Sequence, residues 1–257
     1  MMHLVSDWRY PAIMITALLL CSLLLRRTQR GLKLRGREKL GIGVGAYLGA
    51  MLGAKLPFVL ADWDGMLSGA AWLSHGKTIM AGIVGGYFGV ELAKWALHIR
   101  AKTGDTFVVP IAVAVAVGRV GCFVGGCCFG QPTDLPWGVV FPGAGDVLPV
   151  ARHPTQLYEA MFHLVAAGVF LVLGAYEVFP RQRMKLYLLS YLVFRFITEW
   201  LRPEIQLWGG LTGYQWAALW LLPVFSWLIW RAAGQPTPGG EDAPPLGQAA
   251  PAVETRR

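Results

Sequence analysis

Arg119 stands twelve residues past Phe107 in an otherwise apolar run, flanked by Gly118 and Gly121, with no acid near it in sequence. If that run is a helix crossing a bilayer, the guanidinium lies about 18 Å in, where it costs at least about 2.5–3.5 kcal/mol unless paired or wetted. A second polar set, Tyr191, Arg195, Glu199 and Arg202, recurs at spacings of four, four and three. That spacing puts all of them on one helix face, which must point into a bundle. Together these residues describe a positively biased cavity. A guanidinium fork matches phosphate oxygens two at a time, so the cavity suits a phosphate-bearing ligand whose acyl chains stay in lipid. The structural alternative is a buried ion-pair network with no ligand.

The elements that must hold these groups are membrane spans. Of the 257 residues, 55% are hydrophobic and only 15% charged, and tryptophan numbers 11. The mean hydropathy is +0.48. A soluble domain carries about a quarter charged residues, so the composition excludes one, and four cysteines are too few for a disulfide-stapled scaffold. Seven apolar stretches, 11–25, 40–61, 79–97, 107–125, 157–179, 186–201 and 211–230, predict an all-α integral membrane protein. The expected architecture is a bundle of about seven transmembrane helices with a polar cavity toward the extracytoplasmic side. Fifteen Lys and Arg follow spans one, three, five and seven, against Arg9, Lys77, Arg152 and Arg202 on the other side. By the positive-inside rule the N-terminus lies outside and the C-terminus in the cytoplasm. The net charge of +8 therefore sets topology and implies no nucleic-acid partner. Residues 1–233 form the membrane domain, and residues 234–257, rich in Gly, Pro and Ala, read as a disordered cytoplasmic tail.

Several other features have a bland reading beside a functional one. Gly41, Gly45, Gly49 and Gly53 in span two, with Gly82, Gly85, Gly86 and Gly89 in span three, form small-residue ladders for close helix packing, within the chain or across a homodimer. Glu91 and Lys94 pair locally, and Lys55 can reach the outer face. Residues 71–78 match a loose phosphate-binding loop, but they lie between two membrane helices rather than between a strand and a helix. Cys21 reads as a small apolar residue. Cys122, Cys127 and Cys128 leave three readings open: packing at a Gly-rich turn, a disulfide in an oxidising compartment, or a thiolate metal or redox site completed by His153 or His75. A Cys127–Cys128 bond would need a strained small ring, so Cys122 is one partner of any disulfide.

Gly118-Arg119-Val120-Gly121, Pro136-Trp137-Gly138 with Phe141-Pro142, and the string Arg152-His153-Pro154-Thr155-Gln156-Leu157-Tyr158-Glu159 resemble the prolipoprotein diacylglyceryl transferase family. The resemblance runs on through Tyr191, Arg195, Glu199 and Arg202 to Gly209-Gly210-Leu211. It implies seven spans, an outside N-terminus and a bacterial cytoplasmic (inner) membrane. It also implies transfer of a diacylglyceryl group from phosphatidylglycerol to the lipobox cysteine of a preprolipoprotein signal peptide, with release of glycerol phosphate. Arg119 would bind the phosphate, Arg195 and Glu199 would complete the site with Tyr191 and Arg202, and His153, Gln156, Tyr158 and Glu159 would shape its outer mouth. Glu159, His153 and His75 are candidates to take the thiol proton. No cofactor and no metal are implied. The chain departs from the family pattern where Cys122, Gly125 and Cys127 replace Asn, Asn and Glu, where Met80 replaces His, and in having no Asn anywhere.

The reading is therefore a lipid-dependent membrane transferase. The competing classes are a non-catalytic lipid- or anion-binding membrane protein or transporter that kept the cavity, and a paralogue with another acceptor.

Overall fold

The computed structural model describes residues 8–32, 34–73, 78–142, 144–146 and 148–233. The expected tail at 234–257, His75 and Lys77 lie outside the described residues, as do residues 74–77 of the 71–78 motif. Long apolar runs fold as helices because lipid offers no hydrogen bonds to a bare backbone. In chain order these are α1 (Arg9–Thr28), α2 (Gly36–Ala61), the short α3 (Trp63–Ser68) and α4 (Ala70–Leu73), α5 (Ile79–Ala96), α6 (Val108–Val124), α7 (Thr155–Ala175), α8 (Arg183–Thr198) and α9 (Gly213–Ala233). A long helix thus stands at each of the seven expected stretches. Five of them, α1, α2, α6 with the turn before it, α7 and α9, are long and apolar enough to cross a membrane. The other two are α5, which carries Glu91 and Lys94, and α8, which has 16 residues and carries Lys185 and Arg195.

The distribution of polarity is inverted relative to a soluble protein. Leu18, Leu23, Val165, Leu171, Trp220 and Trp230 point outward, whereas Arg119, Glu159, His163, Arg195 and Glu199 are buried. Apolar surface of that extent would drive aggregation in water and is at home in lipid.

Small residues decide how closely the helices approach. The α2 and α5 ladders meet each other: a Cβ added to Gly49 would lie 2.3 Å from the Gly85 carbonyl oxygen, and one added to Gly85 would lie 2.3 Å from the Gly49 oxygen. The glycine ladders are thus spent on packing within the chain. Lys94 Nζ meets Glu91 Oε1 at 2.8 Å, the expected local pair. Lys55, expected to reach the outer face, is 7% exposed.

Two irregular segments close one end of the bundle. Between α6 and α7, β1 (Val139–Val140) and β2 (Ala151–Arg152) form a small antiparallel hairpin in which Val139 faces Arg152. Between α8 and α9 the chain makes a 3₁₀ turn at Glu199–Leu201 and an isolated bridge from Gln206 to Thr212. The segments are tied together where Gly130 N donates to His153 O at 2.8 Å and Gln131 N donates to Leu201 O at 2.8 Å. Only glycine fits at position 130, because a Cβ there would lie 2.5 Å from the Leu201 oxygen.

Gly85→Ala is expected to push α2 and α5 apart and to lower stability by about 1–3 kcal/mol. Gly43→Ala, where an added Cβ meets nothing within 4 Å, is the matched control. Thermal melts of the two variants in detergent, compared with the parent, check this; equal melting of all three would refute the packing assignment.

Candidate active site

Four elements converge on one carboxylate. Glu159 sits on the second turn of α7, just past Pro154, which starts the helix. Its Oε1 accepts from Arg119 Nη2 of α6 at 2.8 Å, and its Oε2 lies 2.7 Å from the same nitrogen. The Tyr191 hydroxyl of α8 donates a short hydrogen bond to Oε1. Arg195 Nη1 and Arg202 Nη1 approach Oε2 at 3.9 and 4.0 Å, and His163 Nε2 lies 4.0 Å from Oε1. Glu159 is 1% exposed. Arg119, which has no acid near it in sequence, is thus neutralised by an acid forty residues further on.

A second carboxylate extends the network. Arg195 Nη2 meets Glu199 Oε2 at 2.7 Å, the pair expected one helical turn apart. Thr212 Oγ1 donates to Glu199 Oε1 at 3.1 Å, and Gln215 Oε1 accepts from the Thr212 backbone at 3.0 Å, tying the N-terminal end of α9 to the site. The polar face of α8 is not one continuous α-helix: helix gives way to the 3₁₀ turn at Glu199, and Arg202 is in extended backbone. Its guanidinium still reaches the cluster, with Nη1 4.0 Å from Glu159 Oε2, and Gln131 Nε2 donates to its carbonyl at 3.1 Å.

Three guanidinium groups face Glu159 and Glu199 here, and Arg202 also meets the exposed Glu204, whose Oε1 lies 3.7 Å from its Nε. Arg119 Nε, Arg202 Nε and Arg202 Nη1 are buried without a hydrogen-bond partner, as is Gln156 Oε1. Buried donors of this kind are strong only when an anion or water meets them. The arrangement can therefore hold a monoanion with oxygen acceptors, as a phosphodiester is.

The remaining expected residues form a separate outer group. His153 Nδ1 lies 3.2 Å from the Tyr158 hydroxyl, which accepts from Trp137 Nε1 at 2.8 Å. Arg152 forks onto Asp146 at 3.0 and 2.5 Å, and these hydrogen bonds hold the Asp146 carboxyl below the usual carboxylate range. Gln156 bridges the groups: fully buried, its Nε2 donates to the Cys127 carbonyl at 2.6 Å. Beside it the Cys128 thiol is held well below the usual thiol range by hydrogen bonding with Cys122 and Cys127, with Arg119 and Arg202 acting in the same direction. All four cysteines are free. Met80, where the family pattern has His, is buried.

His163, Tyr187, Thr212 and Gln215 were absent from the sequence-derived site. His163 had a signal, since it lies four residues past Glu159 on the same helix face, and its Nδ1 meets the Tyr187 hydroxyl at 2.9 Å. Thr212 and Gln215 had none, because their roles depend on how α9 docks. Glu159→Gln leaves Arg119 and Arg195 facing an uncharged amide in a buried site, and is expected to cost about 3–5 kcal/mol. A melt of the purified variant checks this, and an unchanged midpoint would mean that the charges are compensated elsewhere.

Comparison with known proteins bears directly on this geometry. A family model described as prolipoprotein diacylglyceryl transferase matches residues 7–231. The phosphatidylglycerol–prolipoprotein diacylglyceryl transferase of Pseudomonas savastanoi pv. phaseolicola is 36% identical over 163 residues, 58% of this chain and 59% of its own length. The chain thus spans about three fifths of that relative. Proteins of the same name from Pseudomonas fluorescens (strain SBW25) and Coxiella burnetii are 33% and 34% identical, over 77% and 72% of this chain and 75% and 74% of theirs. The match runs from before α1 into the last turn of α9 and includes every residue of the Glu159 network. This all-α integral membrane chain belongs to the prolipoprotein diacylglyceryl transferase family.

Proposed function

We propose that the protein transfers the diacylglyceryl group of phosphatidylglycerol to the lipobox cysteine of a preprolipoprotein, at the outer face of a bacterial inner membrane, with its N-terminus outside. The observation that carries this is the set of three buried guanidinium N–H positions beside Glu159, on Arg119 and Arg202, that no hydrogen-bond partner meets. A phosphodiester monoanion supplies acceptors for those donors. Arg119, fixed by Glu159, offers the phosphate its remaining donors, and Arg202 offers two more. As the carbon–oxygen bond to the diacylglyceryl group breaks, charge builds on the phosphate, so donors already aimed at it lower the barrier. An apolar cavity of about 550 Å³, lined by Cys21, Tyr47, Gly82, Ile83, Gly86 and Phe107 among others, gives an acyl chain a place beside α2, α5 and α6. The Trp137, His153 and Tyr158 group forms the mouth through which the acceptor peptide reaches the lipid.

One observation favours a second reading, a lipid-binding protein without transfer chemistry. Cys122, Gly125 and Cys127 stand where the family pattern has polar side chains able to assist the reaction.

Purified protein with labelled phosphatidylglycerol and a lipobox peptide is expected to yield diacylated peptide and glycerol phosphate. Arg119→Lys keeps a charge opposite Glu159 but loses the planar fork, and is expected to slow transfer by about 10²-fold or more with the fold retained. Full transfer by a folded Arg119→Lys protein would remove Arg119 from the site, and lipid retention without any transfer by the parent would favour the second reading. For orientation, export-dependent reporter fusions after Asp146 are expected to be active and fusions after Arg183 inactive. The reverse pattern would place the site on the cytoplasmic side.

A further inference from the structure

Thiol transfer needs something to take the proton from the acceptor cysteine, and Glu159 is poorly suited: Arg119, Tyr191, Arg195 and Arg202 already surround it. The same end of the bundle holds three thiols that the ion-pair network does not use. The sulfur atoms of Cys122, Cys127 and Cys128 all lie within 4.8 Å of one another. Three thiolates around one zinc-sized ion at about 2.3 Å sit about 3.8 Å apart.

The backbone is shaped to bring them together. Cys122 lies in the last turn of α6, and the chain doubles back so that Cys127 N donates to the Cys122 carbonyl at 3.1 Å. Gly126 and Cys128 are both in the left-handed region, at φ 63° and 61°. For a cysteine that conformation is strained, and such strain persists where the surroundings enforce it. Here α7 enforces it: Gln156 Nε2 holds the Cys127 carbonyl at 2.6 Å and Thr155 Oγ1 holds the Cys128 carbonyl at 2.8 Å. The other end of the Gln156 amide is buried with no partner. Among the described residues no histidine or carboxylate joins the three sulfurs. Structural zinc sites close with four protein ligands, whereas three ligands and an open position mark a site that takes up a reactant.

We propose that Cys122, Cys127 and Cys128 hold one zinc-class divalent cation, whose fourth position receives the acceptor cysteine thiol. This rests on the transferase reading above. On coordination the acceptor S–H gives its proton to water, because a metal-bound thiol is deprotonated near neutral pH. The sulfur lone pair then forms the C–S bond to the glyceryl carbon as the C–O bond to phosphate breaks. The electron pair leaves on the phosphate oxygen, and glycerol phosphate departs from Arg119 and Arg202. The cation keeps its oxidation state. It replaces, by a different chemistry, the polar side chains that Cys122 and Cys127 displaced.

The test uses full-length protein, reduced, stripped with chelator and held in detergent. Titration with Zn²⁺ against a competing chelator is expected to give one ion per chain, and Co²⁺ is expected to give thiolate-to-metal charge-transfer absorption. Zn²⁺ should shield the three thiols from alkylation in the parent, a readout that needs no variant. Cys127→Ser should abolish one-to-one binding. A lipobox peptide should then shift the Co²⁺ spectrum toward four sulfur ligands, while the same peptide with Ser for Cys should not. No stoichiometric Zn²⁺ binding, binding of Cu⁺ alone, or unaltered binding by Cys127→Ser would overturn the site. A Co²⁺ spectrum indifferent to the peptide, or full transfer by metal-free protein, would overturn the activating role while leaving the transferase reading intact. Metal and peptide-thiol binding with no transfer in any state would support the site and count against that reading.

Discussion

The carboxylate of Glu159 is the point on which the other polar contacts of the bundle depend. It is fully enclosed, and it is shared among guanidinium groups from α6, α8 and the turn after α8. No one of these charges would be tolerable alone at that depth. Pairing makes them affordable and fixes three segments relative to one another, because an ion pair that is out of register leaves a buried charge uncompensated. Buried guanidinium donors without hydrogen-bond partners on Arg119 and Arg202 then make the cluster more than a structural rivet. A network built only for stability has no need of donors left without partners.

Around that point the bundle separates its tasks. The α2–α5 pair is held by backbone contact through glycine and contributes no residue to the charged cluster, while α6, α7 and α8 supply the cluster and α9 secures its far side through Thr212 and Gln215. The close α2–α5 seam leaves its flank open as an apolar cavity. Polar chemistry is therefore confined to one end, where two irregular segments cross each other at Gly130. Such segments are tolerated at the membrane surface because their backbone groups pair with each other or meet water.

Much of this was legible from the sequence, for reasons that differ by residue. Helix number followed from apolar run length, and the burial of Arg119 and Arg195 followed from cost. The Arg195–Glu199 pair is local, so its spacing of four announced it. Arg119 and Glu159 are forty residues apart, and their pairing depends on how α6 packs against α7, which no local spacing encodes. The string around His153 marked a functional segment but could not say that Tyr158 would meet both His153 and Trp137 while Glu159 turned inward. The three cysteines left packing, a disulfide and a thiolate metal or redox site open in the sequence, and the chain reversal after Val124 brings their sulfurs together.

The central claim is that the Glu159 cluster holds buried guanidinium donors open for a phosphodiester. Native mass spectrometry of the protein released from mixed micelles tests it most directly, with phosphatidylglycerol, phosphatidylethanolamine and diacylglycerol offered in equal amounts. Selective retention of phosphatidylglycerol, at one molecule per chain and abolished when Arg202 is replaced by Gln, is the expected result. Equal retention of the neutral diacylglycerol would show that the cluster is a closed ion-pair network and that the lipid, if held at all, is held by its acyl chains.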